Sequence, residues 1–108
     1  MNNNYSLRYL PIFYDDLKSI TDYISIELKN PSAADKLIDL VEHSILNRLP
    51  FAESFHPYSS KRKRQYPYYK INVKNYIIFY VVITDDPANK IMEVRRILYN
   101  KRNWQNLI

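Results

Sequence analysis

A chain of 108 residues has room for one domain, which we expect to span residues 1–108. Cysteine is absent, which excludes disulfides and thiolate chemistry. Glycine is absent too, which argues against phosphate-binding loops and therefore against a nucleotide cofactor. The two histidines, His43 and His56, have no metal-ligand spacing, so neither a metal nor another cofactor is expected. No long apolar run occurs, and we expect a cytoplasmic protein without a membrane segment.

The net charge of +5 is unevenly distributed along the chain. Residues 1–53 contain 5 basic and 8 acidic side chains, whereas residues 54–108 contain 11 basic and 3 acidic ones. No acidic residue lies between Glu53 and Asp85. The second half should therefore carry a positive field that attracts phosphate groups or an acidic protein partner.

The first half of the chain predicts one strand and two helices. Residues 5–10 alternate and predict a strand that Pro11 ends. Apolar residues then recur at helical spacing, with Asp15, Asp16, Lys18 and Asp22 outside their face: Phe13, Leu17, Ile20, Ile24 and Leu28. Asn30 as the cap and Pro31 as the first helical residue begin a second helix, whose apolar stripe runs to Leu49. The tight break between the helices predicts an antiparallel hairpin.

The second half predicts three strands after a polar connector over residues 51–67. The strands cover residues 68–74, 76–83 and 91–98, and residues 100–108 predict a short terminal helix. Alternation in the last strand predicts that Met92, Val94, Arg96 and Leu98 share one face, with Arg95 on the other. The order of elements predicts an α+β fold: an N-terminal strand, a helical hairpin, a three-stranded antiparallel meander that completes a four-stranded sheet, and the short helix.

Four stretches in this order resemble the RelE/ParE superfamily of bacterial toxins from type II toxin–antitoxin modules. They are LPIFYDDLKSITDYI (residues 10–24), KNPSAADKLIDLVEHSI (29–45), YYKINVKNYIIFYVV (68–82) and RRILYNKRNW (95–104). The resemblance implies a RelE/ParE-like fold and a growth-inhibiting toxin of a plasmid-stabilisation module. It also implies a cognate antitoxin protein that holds the toxin inactive.

The superfamily contains two kinds of toxin, and residues of this chain match each of them in part. RelE-like members are mRNA interferases that cut ribosome-bound mRNA without metal. Lys70 and Arg102 match basic positions of that branch, where they would handle proton transfer and phosphate charge, while Tyr99 would stack on a base. However, Ile77 stands where that branch has an arginine. ParE-like members poison DNA gyrase, and the stretch RRILY resembles their strand end, with Tyr99 in place of a histidine.

The target therefore stays open between two macromolecules. The 11 cations of the second half favour the ribosome and its mRNA, which makes ribosome-dependent mRNA cleavage the leading hypothesis. The missing arginine and the RRILY stretch favour DNA gyrase. A non-toxic RNA-binding module is a third alternative from a different functional class.

The residues predicted to bind nucleic acid or another target are basic or aromatic: Lys61, Arg62, Lys63, Arg64, Arg95, Arg96, Lys101 and Trp104. Structural alternatives exist for several of them. The basic run 61–64 is equally consistent with a solvated loop, and Arg96 with a semi-buried cation that pairs with a carboxylate or with backbone carbonyl groups. The positively charged sheet face would also offer a groove to an amphipathic helix or an added strand of an acidic antitoxin.

Overall fold

The computed structural model describes residues 5–58 and 64–108, in which a four-stranded sheet carries a helical hairpin on one face. The strands are β1 (Tyr5–Tyr9), β2 (Tyr69–Val73), β3 (Tyr76–Ile83) and β4 (Lys90–Tyr99), and the helices are α1 (Pro11–Asp22) and α2 (Pro31–Arg48). The strand order is β1-β4-β3-β2, with β1 parallel to β4 and the other neighbours antiparallel. The predicted α+β class and order of elements are confirmed. The predicted C-terminal helix is a single 3₁₀ turn, Trp104–Asn106.

Both helices of the hairpin start at residues that are common at the first positions of a helix. Pro11 occupies the first turn of α1, which continues into a π-helical turn, Tyr23–Glu27. The chain then reverses at Lys29, whose φ of 53° lies in the left-handed region. The side-chain oxygen of Asn30 accepts a hydrogen bond from the N–H of Ala33 at 3.1 Å, which confirms the predicted cap. None of the helices in residues 5–58 and 64–108 has both the length and the apolarity to cross a membrane.

The sheet is buried on both faces, so the fold has two apolar cores. The first core lies between the hairpin and the sheet and includes Phe13, Leu37, Val41, Ile45, Ile78, Tyr80, Val94 and Ile97. The second core lies on the other face and includes Tyr68, Ile77, Phe79, Val81, Leu98 and Ile108. The connector and the C-terminal segment complete this second core with Tyr58, Tyr66, Trp104 and Leu107. The sheet face that the sequence predicts as an open groove is therefore covered.

A β-bulge in β4 overturns the predicted faces of that strand. Phe79 lies opposite Arg96 and Tyr80 lies opposite Val94, so Arg95 is an extra residue without a partner in β3. The inserted residue shifts the two-residue alternation by one position. Ile97 therefore packs in the first core together with Val94, while Leu98 packs in the second core. The prediction that Arg96 and Leu98 share the face of Met92 and Val94 was wrong for this reason.

Tyr80 anchors the connector to the sheet from inside the first core. Its side chain is fully buried, and its hydroxyl donates to the carbonyl oxygen of Ala52 at 2.7 Å. Nη1 of Arg48 donates to the same hydroxyl at 3.0 Å and to the carbonyl oxygen of Lys70 at 3.3 Å. The Arg48 guanidinium carbon lies 3.5 Å from the centre of the Phe55 ring. This cluster joins the end of α2, the connector and β2.

Tyr80→Phe is expected to lower the free energy of unfolding by about 1–3 kcal/mol, because it leaves the buried carbonyl of Ala52 without its donor. Urea denaturation followed by circular dichroism measures the change. Tyr14→Phe is the matched control, since that ring is 55% exposed and the same atom is removed. An equal effect of both substitutions would show that the buried hydrogen bond contributes nothing particular.

Candidate functional site

Lys70 points from β2 into a pair of aromatic rings on the second core. Its Nζ lies 5.1 Å from the centre of the Tyr58 ring and 5.3 Å from that of Trp104. The two rings pack edge to face, with their centres 5.0 Å apart. An ammonium group beside two ring faces is held by cation–π attraction. Lys70 and Trp104, both predicted site residues, are therefore brought together.

Tyr99 lies on the opposite face of the sheet from Lys70. It is the last residue of β4, and its half-exposed ring packs edge to face with Tyr76 at a centre distance of 6.0 Å. Tyr76 packs against the first core, whereas Trp104, the neighbour of Lys70, packs against the second. The sheet therefore separates two of the three residues predicted to form a catalytic group.

Lys101 and Arg102 lie in the exposed turn that follows β4. The backbone N–H of Arg102 donates to the carbonyl oxygen of Tyr99 at 3.0 Å, which fixes the turn. Within residues 5–58 and 64–108, the Arg102 side chain makes no ion pair or hydrogen bond. Both cations are thus available to an incoming polyanion.

Arg96 is largely buried, and its guanidinium group forms an ion pair with the carboxylate of Asp16 in α1. Its Nε and Nη2 donate to the two oxygens of Asp16 at 2.7 and 2.9 Å, and its Nη1 donates to the carbonyl oxygen of Leu107 at 3.0 Å. Oδ2 of Asp16 also accepts the N–H of Ile97 at 3.2 Å. That N–H lies beyond Val94, where the pairing of β4 with β1 ends. These contacts match the structural alternative for Arg96, a cation paired with a carboxylate and a carbonyl group.

Glu93 is buried on the second face of the sheet between two arginines. It is 4% exposed, and Nε of Arg8 donates to its Oε2 at 2.8 Å while Nε of Arg95 donates to its Oε1 at 2.9 Å. The Arg95 guanidinium also lies 5.8 Å from the centre of the Tyr68 ring. Burial raises the pKa of Glu93, but the hydrogen bonds from both arginines outweigh it and hold the pKa below its ordinary value of 4.5.

Glu93→Gln is expected to make the stability of the protein less dependent on pH in acid. A carboxylate with a lowered pKa in the folded state contributes stability above its unfolded pKa, near 4.5, and loses it as the pH falls further. The amide does not titrate, so the free energy of unfolding should fall less steeply below pH 4.5, after an initial loss of about 2 kcal/mol at pH 7.

Urea denaturation between pH 3 and pH 7 measures this difference between the two proteins. Glu53 retains its own acid sensitivity in both, because the hydrogen bond from Lys90 lowers its pKa. Parallel pH profiles for the wild type and Glu93→Gln would contradict the conclusion that the two arginines lower the pKa of Glu93 in the folded protein.

The remaining predicted basic residues form the run 61–64, of which the structure describes Arg64. Arg64 donates to the carbonyl oxygen of Ile108, and its guanidinium carbon lies 4.8 Å from the centre of the Tyr68 ring. Lys61, Arg62 and Lys63 lie outside the described residues. The second face of the sheet therefore carries Arg8, Arg64, Lys70 and Arg95 around aromatic rings and one buried carboxylate.

Asp16 and Glu93 are the two acids on which this cation arrangement depends, and the sequence did not single out either of them. The signal was indirect, because two adjacent arginines in a strand require partners when they are buried. The sequence could not indicate which carboxylate serves, since Asp15, Asp16 and Asp22 all lie outside the apolar face of α1. No group of three or more potential metal ligands occurs among the described residues.

The comparison with protein families gives one match over almost the whole chain. Residues 7–104 match the family described as the ParE toxin of the type II toxin-antitoxin system, parDE. This chain belongs to the ParE toxin family. The comparison with individual curated proteins finds no match. A ParE toxin is one half of a toxin–antitoxin pair, so a cognate antitoxin is its implied partner, and the predicted superfamily is confirmed.

The matched range of this ParE toxin contains all the predicted site residues that the structure describes. It includes Lys70, Tyr99 and Arg102, and it ends at Trp104. Ile77, which the resemblance to RelE-like toxins predicts to occupy the position of their arginine, is 6% exposed in the second core. The side chain of Ile77 therefore lies in an apolar environment that is closed to solvent.

Proposed function

We propose that this toxin inhibits growth by poisoning DNA gyrase and that it does not cut RNA. The observation that carries the proposal is the separation of Lys70 and Tyr99 by the sheet. Cleavage of RNA without metal requires a proton-transfer group, phosphate-binding cations and a group that positions the base, all at the same nucleotide. Lys70 would handle a proton or phosphate charge, and Tyr99 would stack on the base. Residues on opposite faces of a sheet do not meet that requirement.

The burial of Ile77 supports the same proposal. Its side chain packs in the second core at the position where an RNA-cutting toxin would present an arginine. Arg95 and Arg96, two cations of the adjacent strand β4, are already engaged by Glu93 and Asp16. Their charge is used within the protein, so they are poor candidates for stabilising the charge of a phosphate in a transition state.

Ribosome-dependent mRNA cleavage is the second candidate, and one contact favours it. Nζ of Lys70 lies beside the ring of Trp104, close in sequence to the exposed Lys101 and Arg102. A base stacked on an aromatic ring with cations nearby is a common mode of single-strand binding. This mechanism would have to operate without Tyr99 on the same face.

Substitution of the two candidate catalytic cations separates these mechanisms. Expressed alone, the wild type is expected to stop growth, to trap cleaved DNA on purified gyrase and to leave ribosome-bound transcripts intact. The double variant Lys70→Ala/Arg102→Ala is expected to keep its toxicity and its effect on gyrase, because gyrase poisoning needs no acid–base chemistry from the toxin. Circular dichroism verifies that the variant is folded.

The opposite pattern would overturn the proposal. It consists of ribosome-dependent cuts in transcripts by the wild type, their loss in the double variant and an absence of gyrase-bound DNA breaks. Lys18→Ala serves as the control, because Lys18 is an exposed cation on α1 whose one ion-pair partner in the described part of the chain is Asp22 on the same helix.

A further inference from the structure

A groove opens between α2 and the turn that joins β2 to β3, and we call it the hairpin-tip groove. It has a volume of about 580 Å³. Its walls are mainly apolar, with Leu28 and Leu40 among them, and these two side chains are 57% and 36% exposed. Ile26, in the adjacent π-helical turn, is 65% exposed. A surface of this kind is typical of a protein-binding site.

The charge of the hairpin-tip groove is entirely positive. Lys36 and Lys74 line it, and none of its described lining residues is acidic. Neither lysine forms an ion pair or a hydrogen bond with any other residue in the described ranges. This distinguishes the groove from the second face of the sheet, where Arg95 is already paired with Glu93. Two unpaired ammonium groups beside apolar walls favour a ligand that is both acidic and apolar.

The backbone around the hairpin-tip groove is unusual in three places. Lys29 and Lys74 have φ values of 53° and 54°, and the π-helical turn 23–27 lies beside the groove. A left-handed conformation costs a residue with a Cβ about 1 kcal/mol, and glycine or asparagine is the usual choice there. This chain has lysine at both positions, which adds cations next to Leu28 and at the β2–β3 turn. π-Helical turns also occur frequently at functional sites.

We propose that the hairpin-tip groove binds an acidic, amphipathic segment of the cognate antitoxin. Family membership supplies a protein partner that this toxin must bind, and the groove supplies apolar walls and two cations that nothing in the described chain neutralises. The inference depends on the family and not on gyrase as the target. A second copy of the toxin is a poor occupant, because it would bring two more lysines against Lys36 and Lys74. Nucleic acid is a poor occupant, because the walls are mainly apolar.

A second groove, between α1 and α2, offers the comparison that the test needs. It has a volume of about 340 Å³, and Glu42 is the only charged residue among the described residues that line it. Leu46 lines this groove and is 48% exposed, while Leu40 lines the hairpin-tip groove on the same helix. An acidic segment is repelled by Glu42 and attracted by Lys36, so the charges of the two grooves favour opposite partners.

The test measures the affinity of purified toxin variants for the antitoxin, taken as the protein encoded by the adjacent reading frame. Leu40→Asp is expected to raise the Kd about thirtyfold or more, because it places a charge in the apolar centre of the interface. Lys36→Glu, at an exposed position of α2, is expected to raise the Kd about tenfold and to weaken the salt dependence of binding. Leu46→Asp and Lys18→Glu are the matched controls and are expected to leave the Kd unchanged.

A loss of affinity in Leu46→Asp, with Leu40→Asp unaffected, would overturn the proposal in favour of the α1–α2 groove. No change in Lys36→Glu together with unchanged salt dependence would overturn the acidic character of the ligand. Dimerisation of the free toxin that Leu40→Asp abolishes would assign the groove to a second copy. Because binding is measured without growth or gyrase, these outcomes are independent of the proposed target.

Discussion

Asp16→Ala is expected to lower the free energy of unfolding by about 3–5 kcal/mol, because it leaves the buried guanidinium of Arg96 without its counter-charge. The side chains of Arg96 and Asp16 are only 16% and 12% exposed, and two hydrogen bonds join them. The same carboxylate also accepts the N–H of Ile97, which loses its partner in the variant. Urea denaturation of the purified protein measures the change.

Asp15→Ala provides the control for Asp16→Ala. It removes the same charge from the neighbouring position of α1, but Asp15 is exposed and forms no ion pair within residues 5–58 and 64–108. Its substitution is expected to change the stability by less than about 0.5 kcal/mol. The double variant Asp16→Leu/Arg96→Leu should recover much of the lost stability, because it leaves no buried charge unpaired. If Asp16→Ala were as stable as Asp15→Ala, the ion pair would not be formed in solution.

Trp104→Ala is expected to lower the free energy of unfolding by about 3 kcal/mol, near the lower end for an aromatic residue replaced by alanine in a core. The indole ring lies 5.2 Å from the ring centre of Phe79 and 5.0 Å from that of Tyr58. Its loss removes ring contacts that help to hold the C-terminal segment on the second face of the sheet. Circular dichroism during urea denaturation follows the variant.

Trp104→Phe retains a ring at the same place and is expected to cost less than about 1.5 kcal/mol. In the wild type, fluorescence gives an independent readout, because Trp104 is the only tryptophan of the chain. Its emission should shift to longer wavelength in the same transition that removes the helical signal. A fluorescence change at much lower urea concentration would mean that the C-terminal segment detaches before the core unfolds.

The sequence predicted the fold correctly where a structural feature depends on residues that are neighbours in the chain. Asn30 and Pro31 marked the start of α2 because both the cap and the first helical position have strong residue preferences. The face of β4 was not predictable beyond Arg95, because the bulge depends on how β3 and β4 pair and not on the sequence of β4 alone. A single inserted residue changed the faces of Arg96, Ile97 and Leu98.

The site was less predictable than the fold, because its geometry depends on contacts between distant segments. Lys70 and Trp104 are 34 positions apart by their numbers, and the contact between them requires the C-terminal segment to fold across the sheet. The sequence identified both residues by chemical type but gave no reason to pair them. It also could not show that Tyr99 lies on the opposite face, since that follows from the shift at Arg95. The hairpin-tip groove had no counterpart in the sequence pattern, because α2 and the β2–β3 turn form it together.

The parallel pairing of β1 with β4 has a consequence for biosynthesis. Tyr5 lies beside Lys90, and Arg8 pairs with Glu93, 85 residues further along the chain. Because β4 lies between β1 and β3, a nascent chain that lacks β4 has no neighbour for its first strand and leaves one edge of β3 open. Such long-range pairing is formed late and only when the whole chain is available. The four-stranded sheet can therefore be completed only after β4 has been synthesised.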